Sequence, residues 1–315
     1  MATSVVRDLA EKLRRDLGGA LRLDSAFWRR VMRVGVEKTP EVWVKYSPPL
    51  WGLGFWAALP RSRAIVRDNL RRVLGPRPPL QEAREVAAVF ANYASCLTEA
   101  MLLDGRRYEM ASLPRGVERY QACAAEGRGV IIVTAHTAGW EFAGPVMRGV
   151  HPGEVWVVMQ RERDPHARAI QDRARERAGV KVAHIGESAF DALPLLHALR
   201  KNAVVAMQLD RVPPGMRFRT AELPGGAWRI PEGPLTLAAV SGAPILPIFT
   251  RRLGFMQYEA EVAEPIRIAR RPTEAQLDQA AQAMANAMHD FIQRHPTQWF
   301  HFVEASEGQT AGAAR

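Results

Sequence analysis

The sequence is poor in the residues and motifs that mark several large classes of protein. Only two cysteines occur among 315 residues, Cys96 and Cys123, and neither stands in a CxxC pair or another metal-ligand spacing. A disulfide framework is therefore excluded, and no metal site is expected. No run of about 18 or more apolar residues is present, so a spanning helix is not expected. The glycine-rich signatures GxGxxG and GxxxxGK[ST] are missing, and we expect no bound cofactor.

The amino-terminal region lacks the pattern of a secretory signal, because arginines and lysines interrupt its apolar residues. Positive charge is concentrated there instead. Residues 1–80 hold 16 Lys+Arg against 7 Asp+Glu, whereas residues 81–315 hold 27 against 26, which places nearly all of the net charge of +10 in the first quarter of the chain. A basic surface attracts nucleic acid, anionic lipid or an acidic protein, and charge alone does not choose among them.

The hydrophobic pattern of the same region favours a lipid surface. Apolar residues recur at helical spacing among basic ones, and tryptophan and phenylalanine follow; the apolar set is Val6, Leu9, Leu13 and Leu17. This pattern is typical of a membrane-surface helix, although a helix packed on its own domain with a solvated charged face would give it too. The segment 48–60, PPLWGLGFWAALP, fits an interfacial anchor or a core helix. No nucleic-acid-binding motif accompanies the charge, so nucleic acid is not an expected partner.

Three segments follow from composition: a basic, tryptophan-rich helical extension (1–60), an α/β domain (61–303) and a disordered tail (304–315). In the middle segment, short apolar strands alternate with helices of ten or more residues. This order predicts an α/β fold with a mixed, largely parallel central sheet flanked by helices. The predicted strands are Val130–Ala135, Val155–Gln160, Val180–His184, Ala203–Leu209, Ile245–Thr250 and Gln257–Val262. The predicted helices include Pro165–Ala178, Ala189–Arg200 and Gly233–Ser241, and a loop rich in glycine and proline is expected between Leu209 and the last of these.

The stretch GVIIVTAHTAGWEFAGP couples a buried strand to a possible catalytic pair. His136 follows the strand, and Glu141 lies in the first turn of the next helix, where the helix dipole favours its ionised form. A carboxylate that accepts the Nδ1 hydrogen would leave Nε2 free as a general base. The alternative is that His136 is an ordinary strand-end residue and Glu141 an ordinary first-turn acid.

No enzyme nucleophile accompanies this pair. The GxSxG elbow is absent, and neither cysteine follows a strand as a reactive thiolate would. A substrate hydroxyl can take the nucleophile's place, since a base that deprotonates an alcohol allows it to attack a thioester in one step, without a covalent enzyme intermediate. This chemistry is that of an acyltransferase.

Several ordered blocks resemble the lipid A late acyltransferase family, within the glycerolipid acyltransferase superfamily. HTAGWE is similar to the H-x4-D/E motif in its HxGNWE form, and PRSRAIVRDNLRRVLG, MQRERDPHARAIQDRARERAG and VVAMQLDR are similar to further segments in the family's order. ELPGGAWRIPEGPLTLAAVSGAPILPIFTRR and QWFHF complete the series. The resemblance covers about residues 60 to 302.

The resemblance implies a role for each matching residue. His136 would be the general base and Glu141 its orienting carboxylate. Arg161 would lie near the acceptor's phosphate or polar head, or form a surface ion pair, and Asp210 and Arg211 would line the same cleft or form a structural salt bridge. The loop residues expected to contact the acceptor are Gly225, Gly226, Glu232 and Gly233.

Two departures from the family pattern concern the acceptor. Ala138 and Gly139 occupy the turn in which the family has asparagine, and Arg211 stands in place of a glutamine. The acceptor is therefore open between a lipid A precursor, a lysophospholipid and another glycolipid.

The resemblance thus predicts a membrane-associated O-acyltransferase. Its acyl donor would be a thioester of acyl carrier protein or of coenzyme A, and its location the cytoplasmic face of a bacterial inner membrane, bound peripherally or monotopically through anionic lipids. Two other functions remain: a lipid ester hydrolase that activates water with the same pair, and a non-catalytic lipid-binding protein.

Overall fold

The computed structural model describes residues 39–102, 109–110, 116–160, 179–185, 189–213 and 215–304, and the structural statements that follow concern these residues. The helices are α1 Glu41–Tyr46, α2 Pro48–Ala58, α3 Pro60–Leu74, α4 Pro79–Met101, α5 Val117–Ala125, α6 Trp140–Val150, α7 Leu193–Arg200, α8 Gly233–Ser241 and α9 Glu274–Arg294. The strands are β1 Glu109–Met110, β2 Val130–Thr134, β3 Val155–Gln160, β4 Val180–Ile185, β5 Val204–Gln208, β6 Phe218–Leu223, β7 Gly226–Pro231, β8 Ile245–Gly254 and β9 Gln257–Val262.

The centre of the fold is a seven-stranded sheet in the order β1-β9-β8-β2-β5-β3-β4. The five strands β8, β2, β5, β3 and β4 are parallel, and β9 returns antiparallel to β8. Because β2 and β5 lie in the middle, they are covered on both faces, and their sequences VIIVT and VVAMQ read as continuous apolar runs rather than as alternating ones. The prediction of a mixed, largely parallel sheet flanked by helices is confirmed.

A separate two-stranded hairpin, β6 and β7, lies beside the carboxyl-terminal helix. The expectation of a loop rich in glycine and proline here is wrong, because the chain forms two paired strands. Its antiparallel register runs from Phe218 opposite Pro231 to Leu223 opposite Gly226. Arg219, at the centre of β6, forms ion pairs with Glu232, Glu274 and Asp278 that tie the hairpin to α8 and α9.

The helix boundaries follow local chemistry. α9 begins with a capping box, in which Gln276 N donates to Thr273 Oγ1 and Thr273 N donates to Gln276 Oε1. α3 ends at Gly75, whose φ of 80° lies in the region that favours glycine. Pro76, Pro78 and Pro79 then separate α3 from α4.

Two predicted helices differ from the observed structure or cannot be compared with it. The helix expected over Ala189–Arg200 begins with a 3-10 turn at Ala189–Ala192 before α7. The helix expected over Pro165–Ala178, the amino-terminal helix around Val6 to Leu17 and the tail after residue 304 lie outside the described residues.

The segment 48–60 forms α2 and the start of α3, and α2 packs on α4 through Gly52. An ideal Cβ at Gly52 would lie 2.4 Å from the carbonyl oxygen of Phe90, so only glycine allows this approach. Among the described helices, none combines the length and the apolar character needed to cross a membrane.

The turn of the β6–β7 hairpin gives a test of packing. An ideal Cβ at Gly225 would lie 1.8 Å from the carbonyl oxygen of Arg71, whereas one at Gly233 would meet no heavy atom within 4 Å. We expect Gly225→Ala to lower the free energy of unfolding by about 2 kcal/mol or more, because the backbone of α3 must move. Gly233→Ala is the matched control and should leave stability nearly unchanged. Denaturant titration of both variants measures the difference, and equal stabilities would contradict the packing.

Candidate active site

His136 and Asp210 are brought together by the register of the two central strands. Thr134, the last residue of β2, pairs with Gln208, the last residue of β5. His136 and Asp210 each follow two residues later, so the parallel register carries both to the same edge of the sheet. The carboxyl ends of parallel strands are where ligand sites form in such folds.

The carboxylate of Asp210 is held by three donors from two residues. Its Oδ1 lies 2.9 Å from Nδ1 of His136, and its Oδ2 accepts from the backbone N–H of His136 at 3.0 Å. Oδ2 also accepts from Nε1–H of Trp299 at 2.9 Å. The Asp210 side chain is fully buried, whereas that of His136 is 16% exposed. The imidazole is thus fixed on its inner side and accessible on its outer side.

This geometry determines which ring nitrogen of His136 is free. Burial alone would raise the pKa of the Asp210 carboxyl, but His136 outweighs it through charge and hydrogen bond and holds that pKa well below its usual range. An ionised carboxylate only accepts hydrogen bonds, so Nδ1 of His136 carries the hydrogen. In the neutral imidazole this leaves the lone pair on Nε2, which is the nitrogen that can take a proton from a substrate.

The carboxyl-terminal segment closes the site from the other side. Trp299 forms an antiparallel bridge with Thr137. Phe300 N donates to the carbonyl of His136 at 2.7 Å, and Ala138 N donates to the carbonyl of Gln298 at 2.8 Å. These main-chain bonds fix the backbone of the HTAGW turn on both sides of the histidine.

His301 and Arg211 extend the site behind Asp210. The ring of His301 stacks on that of Trp299, with centroids 5.1 Å apart and planes 6° apart, and Nδ1 of His301 lies 3.8 Å from Asp210 Oδ2. Arg211 Nε donates to the same Nδ1 at 3.5 Å. Burial lowers the pKa of His301 to about 3, so this imidazole is neutral at physiological pH.

Two asparagines hold the carboxyl-terminal segment in place. Asn69 Nδ2, in the NLRRVLG block of α3, donates to the carbonyls of His301 and Val303, both at 2.9 Å. Asn92, on α4, donates to the carbonyl of Thr297 at 2.9 Å. The upstream block that resembles the family therefore contributes to the site by clamping the chain that carries Trp299.

A buried carboxylate supports the HTAGW turn from below. Glu99 accepts hydrogen bonds from Arg252 Nε at 2.8 Å, from Met256 N at 3.0 Å and from Tyr258 Oη at 2.6 Å. The ring of Tyr258 fills the space beside Gly139, where an ideal Cβ would lie 2.3 Å from Tyr258 Cδ1, and Gly139 itself has a φ of 83°. Glycine at this turn thus meets both a left-handed conformation and a close contact.

The residues predicted to contact the acceptor lie in two places. Gly225 lies in the hairpin turn and packs against α3, and Gly226 is the first residue of β7. Glu232 is buried and precedes Gly233 at the start of α8; its carboxylate pairs with Arg219 Nη2 at 2.8 Å and Arg217 Nε at 2.7 Å. The structure thus gives Glu232 two arginine partners, and its role toward an acceptor stays a prediction.

Two predicted site residues cannot be located. Glu141 is the second residue of α6, but its side chain lies outside the described part of the structure, and Arg161 lies outside it altogether. Their roles stay predictions. Within the described residues, no group of three or more His, Cys, Asp or Glu side chains is arranged to hold a metal ion.

Comparison with known proteins finds one family whose model matches most of the chain. A family model described as "Bacterial lipid A biosynthesis acyltransferase" matches residues 30–304. The chain belongs to this family. It is an acyltransferase, and the resemblance seen in the ordered sequence blocks is confirmed.

Two curated relatives of this acyltransferase carry the name phosphatidylinositol mannoside acyltransferase. They come from Mycobacterium tuberculosis strains CDC 1551 / Oshkosh and ATCC 25618 / H37Rv, and they are 25% and 26% identical over 246 residues. The match covers 74% of this chain and 74% of each relative. The name of both relatives specifies acyl transfer to a lipid, in agreement with the description of the family.

Several residues of this site have no predicted role in the sequence. Trp299 and His301 lie in the QWFHF block, which resembles the family but implies no contact for either side chain. Glu99 and Tyr258 carried no motif. The signal that could have indicated the contact of Trp299 is the QWFHF block, because a buried tryptophan usually donates its indole N–H to an acceptor.

The buried His301 predicts a loss of stability in acid. In the unfolded chain a histidine binds a proton near its ordinary pKa of about 6.5, whereas the folded protein resists protonation until about pH 3. The unfolded state therefore binds more protons between these values, and stability falls as the pH is lowered through this window. Between pH 7 and pH 5 we expect His301 to contribute a loss of about 2 kcal/mol.

Denaturant titrations at the two pH values test this. His301→Gln removes the titrating group and should reduce the pH-dependent loss, although it lowers stability at pH 7. His197→Gln, at an exposed position on α7, should leave the loss unchanged. An unaltered acid loss in His301→Gln would show that other groups dominate.

The support of the HTAGW turn by Tyr258 predicts a difference between two substitutions. Tyr258→Phe keeps the ring beside Gly139 and removes only the hydroxyl that donates to Glu99, so kcat should stay near the wild-type value while stability falls by about 1 to 3 kcal/mol. Tyr258→Leu removes the ring, and we expect kcat to fall about tenfold or more with KM for the acyl donor unchanged, because His136 is displaced. Equal kcat losses in both variants would contradict a role for the ring.

Proposed function

We propose that this acyltransferase transfers a fatty acyl chain from a thioester to a hydroxyl group of a lipid acceptor at a membrane surface, with His136 as the general base. The observation that carries the proposal is the His136–Asp210 pair, with its Nδ1–Oδ1 distance of 2.9 Å and the buried carboxylate behind it. The family and the names of the two relatives support acyl transfer to lipid.

In the proposed reaction, Nε2 of His136 takes the proton from the acceptor hydroxyl as its oxygen attacks the thioester carbonyl carbon. The resulting imidazolium is stabilised by Asp210, which faces it across Nδ1. The tetrahedral intermediate then collapses, the carbon–sulfur bond breaks, and the imidazolium returns its proton to the leaving thiolate. An ester and a free thiol are formed, and the enzyme returns to its starting state without a covalent intermediate.

Two carboxylates are candidates for the dyad with His136. Asp210 orients His136 through the Nδ1 hydrogen. For Glu141, in the first turn of α6, we keep the predicted part in the same dyad as a hypothesis, because its backbone position lies within the motif HTAGWE. Variants of the two residues separate these roles.

For the acceptor, we propose a membrane glycolipid with a phosphate-bearing head. The family description and the relatives' names both refer to acceptors of that kind. Arg161 is the residue we propose for the phosphate, since a planar guanidinium suits phosphate geometry. The substitutions at the HTAGWE turn and at Arg211 separate this chain from the lipid A pattern, so a lysophospholipid is the second candidate.

For the donor and the location, we propose an acyl carrier protein or coenzyme A thioester, used at the cytoplasmic face of a bacterial inner membrane. The acidic carrier and anionic lipids would both be attracted by the basic first quarter of the chain, where 16 Lys+Arg stand against 7 Asp+Glu. The protein would associate with the surface through residues 1–60 and would be peripheral or monotopic.

Substitution of the dyad tests the mechanism. We expect His136→Ala and Asp210→Asn each to lower kcat by about two or more orders of magnitude, since general-base catalysis contributes about 10²–10⁴. Glu141→Gln should show a comparable loss if it shares the dyad. Asp68→Asn, at an exposed aspartate on α3, is the matched control and should be fully active.

The assay uses purified protein with a radiolabelled acyl thioester and a panel of glycolipid and lysophospholipid acceptors. Label should move to the lipid acceptor. Label released as free fatty acid in the presence of every acceptor would support a hydrolase instead. Undiminished transfer by Asp210→Asn would refute the proposed role of that carboxylate.

A further inference from the structure

The first two described helices expose a continuous set of large apolar side chains. α2 has the sequence PPLWGLGFWAA, without a single polar side chain, and Trp51 and Leu50 are both 68% exposed. Trp43 on α1 is 63% exposed. We call the whole set the apolar face: Val42, Trp43, Tyr46, Leu50, Trp51, Leu53 and Phe55. Contiguous exposure of this kind marks an interaction surface.

The opposite side of α2 is firmly packed. Gly52 is buried against the backbone of Phe90 and Ala91 on α4, and Trp56 packs against the main core cluster. Arg63 donates to the carbonyls of Trp56 and Ala57 and so caps the end of α2. The apolar face is therefore presented by a rigid helix rather than by a loose segment.

Basic side chains flank the α2 part of the apolar face, with Lys45 before it in the sequence and Arg61 after it. No charged residue occurs between Lys45 and Arg61, and the Arg61 side chain is 77% exposed. Over residues 39–80 the sequence has seven Lys+Arg against two Asp+Glu; these are Lys45, Arg61, Arg63, Arg67, Arg71, Arg72 and Arg77 against Glu41 and Asp68. An apolar surface that contains tryptophan and tyrosine and has cations beside it has the chemistry of an interfacial membrane anchor.

An aromatic path connects the supporting helix to the active site. Tyr93 lies one turn after Phe90 on α4, and its ring contacts those of Phe300 and Phe302 at centroid distances of 5.4 and 4.9 Å. Phe300 directly follows Trp299, which holds Asp210. Tyr93, which is 40% exposed, therefore links α4, on which α2 packs, to the segment that carries Trp299.

We infer that the apolar face of α1 and α2 inserts into the interfacial layer of a bilayer that contains anionic lipid. α2 has 11 residues and is about 16 Å long, which is half of the hydrocarbon thickness of about 30 Å. The helix therefore lies in one leaflet, with Trp43 and Trp51 at the level of the head groups and the flanking cations on the lipid phosphates. The inference rests on the proposed function in one respect: the lipid acceptor reaches the site from this leaflet.

The charge pattern favours lipid over a second copy of the chain. A two-fold contact through the same face would bring the basic ends of both copies together, and like charges at an interface oppose association. Anionic head groups instead supply the opposite charge along the whole rim.

Site-specific labelling tests the insertion directly. Cys96 and Cys123 are both buried, so Trp51→Cys in the full-length protein gives one reactive thiol for an environment-sensitive fluorophore. With vesicles of equal parts phosphatidylcholine and phosphatidylglycerol, we expect the emission to rise and shift to the blue. Val240→Cys is the control, because Val240 is 47% exposed but lies on α8, and its label should not respond.

A binding assay tests the same face without a label. The double variant Leu50→Glu/Trp51→Glu should bind these vesicles at least about tenfold more weakly than wild type, whereas Val240→Glu should bind normally. Transfer to acceptor dispersed in detergent should be unchanged in both variants. The expected result is that the double variant loses vesicle binding but keeps full transfer activity toward acceptor dispersed in detergent.

Three outcomes would overturn the inference. The first is normal vesicle binding by the double variant. The second is a label at position 51 whose emission is already shifted to the blue without lipid, at every protein concentration. This would mean that another part of the same chain covers the apolar face. The third is a label response to protein concentration alone, which would indicate a second copy. Insertion without transfer by the wild type would instead refute the proposed function and leave this inference standing.

Discussion

The site depends on one buried charge, the carboxylate of Asp210. Its side chain has no exposed surface, and an isolated carboxylate in such a position would be strongly unstable. The cost is offset because His136 supplies both its ring nitrogen and its backbone N–H, and Trp299 supplies an indole N–H. The same donors that keep the carboxylate ionised also fix the orientation of the histidine, so stability and the proposed catalytic geometry rest on the same contacts.

This arrangement explains why parts of the chain far apart in sequence act together. The three elements at the site are the end of β2, the end of β5 and the segment after α9, and each contributes one group to the His136–Asp210–Trp299 cluster. Asn69 of α3 holds the last of these elements from outside. Substitution of His136, Asp210 or Trp299 would leave a buried polar group without its partner. This is more costly than the loss of a surface contact.

A second buried carboxylate performs a similar task for the turn that carries His136. Glu99 joins α4 to β8 and β9 through Arg252 and Tyr258, and the Tyr258 ring occupies the space that Gly139 leaves open. α4 also packs against α2, whose outer side forms the apolar face. α4 thus contacts Tyr258, which lies beside the HTAGW turn, on one side and the proposed membrane anchor on the other.

The sequence by itself determined the fold class, the family and the position of His136. Long apolar strands alternating with helices leave few alternatives to a covered parallel sheet, and the ordered blocks around HTAGWE identified an acyltransferase. Hairpin β6–β7 was missed, because its short strands are separated by glycines and bounded by prolines, which read as a loop.

Only the tertiary structure decided which described carboxylate faces His136. In sequence, Glu141 is five residues away and Asp210 is much farther, so local reasoning selects the nearer one. The parallel register of β2 with β5 places Asp210 directly beside the histidine. Trp299 reaches Asp210 by the same kind of long-range placement, and neither contact has a signature in the spacing of the chain, because the distance between two strands in a sheet is independent of the number of residues that separate them in sequence.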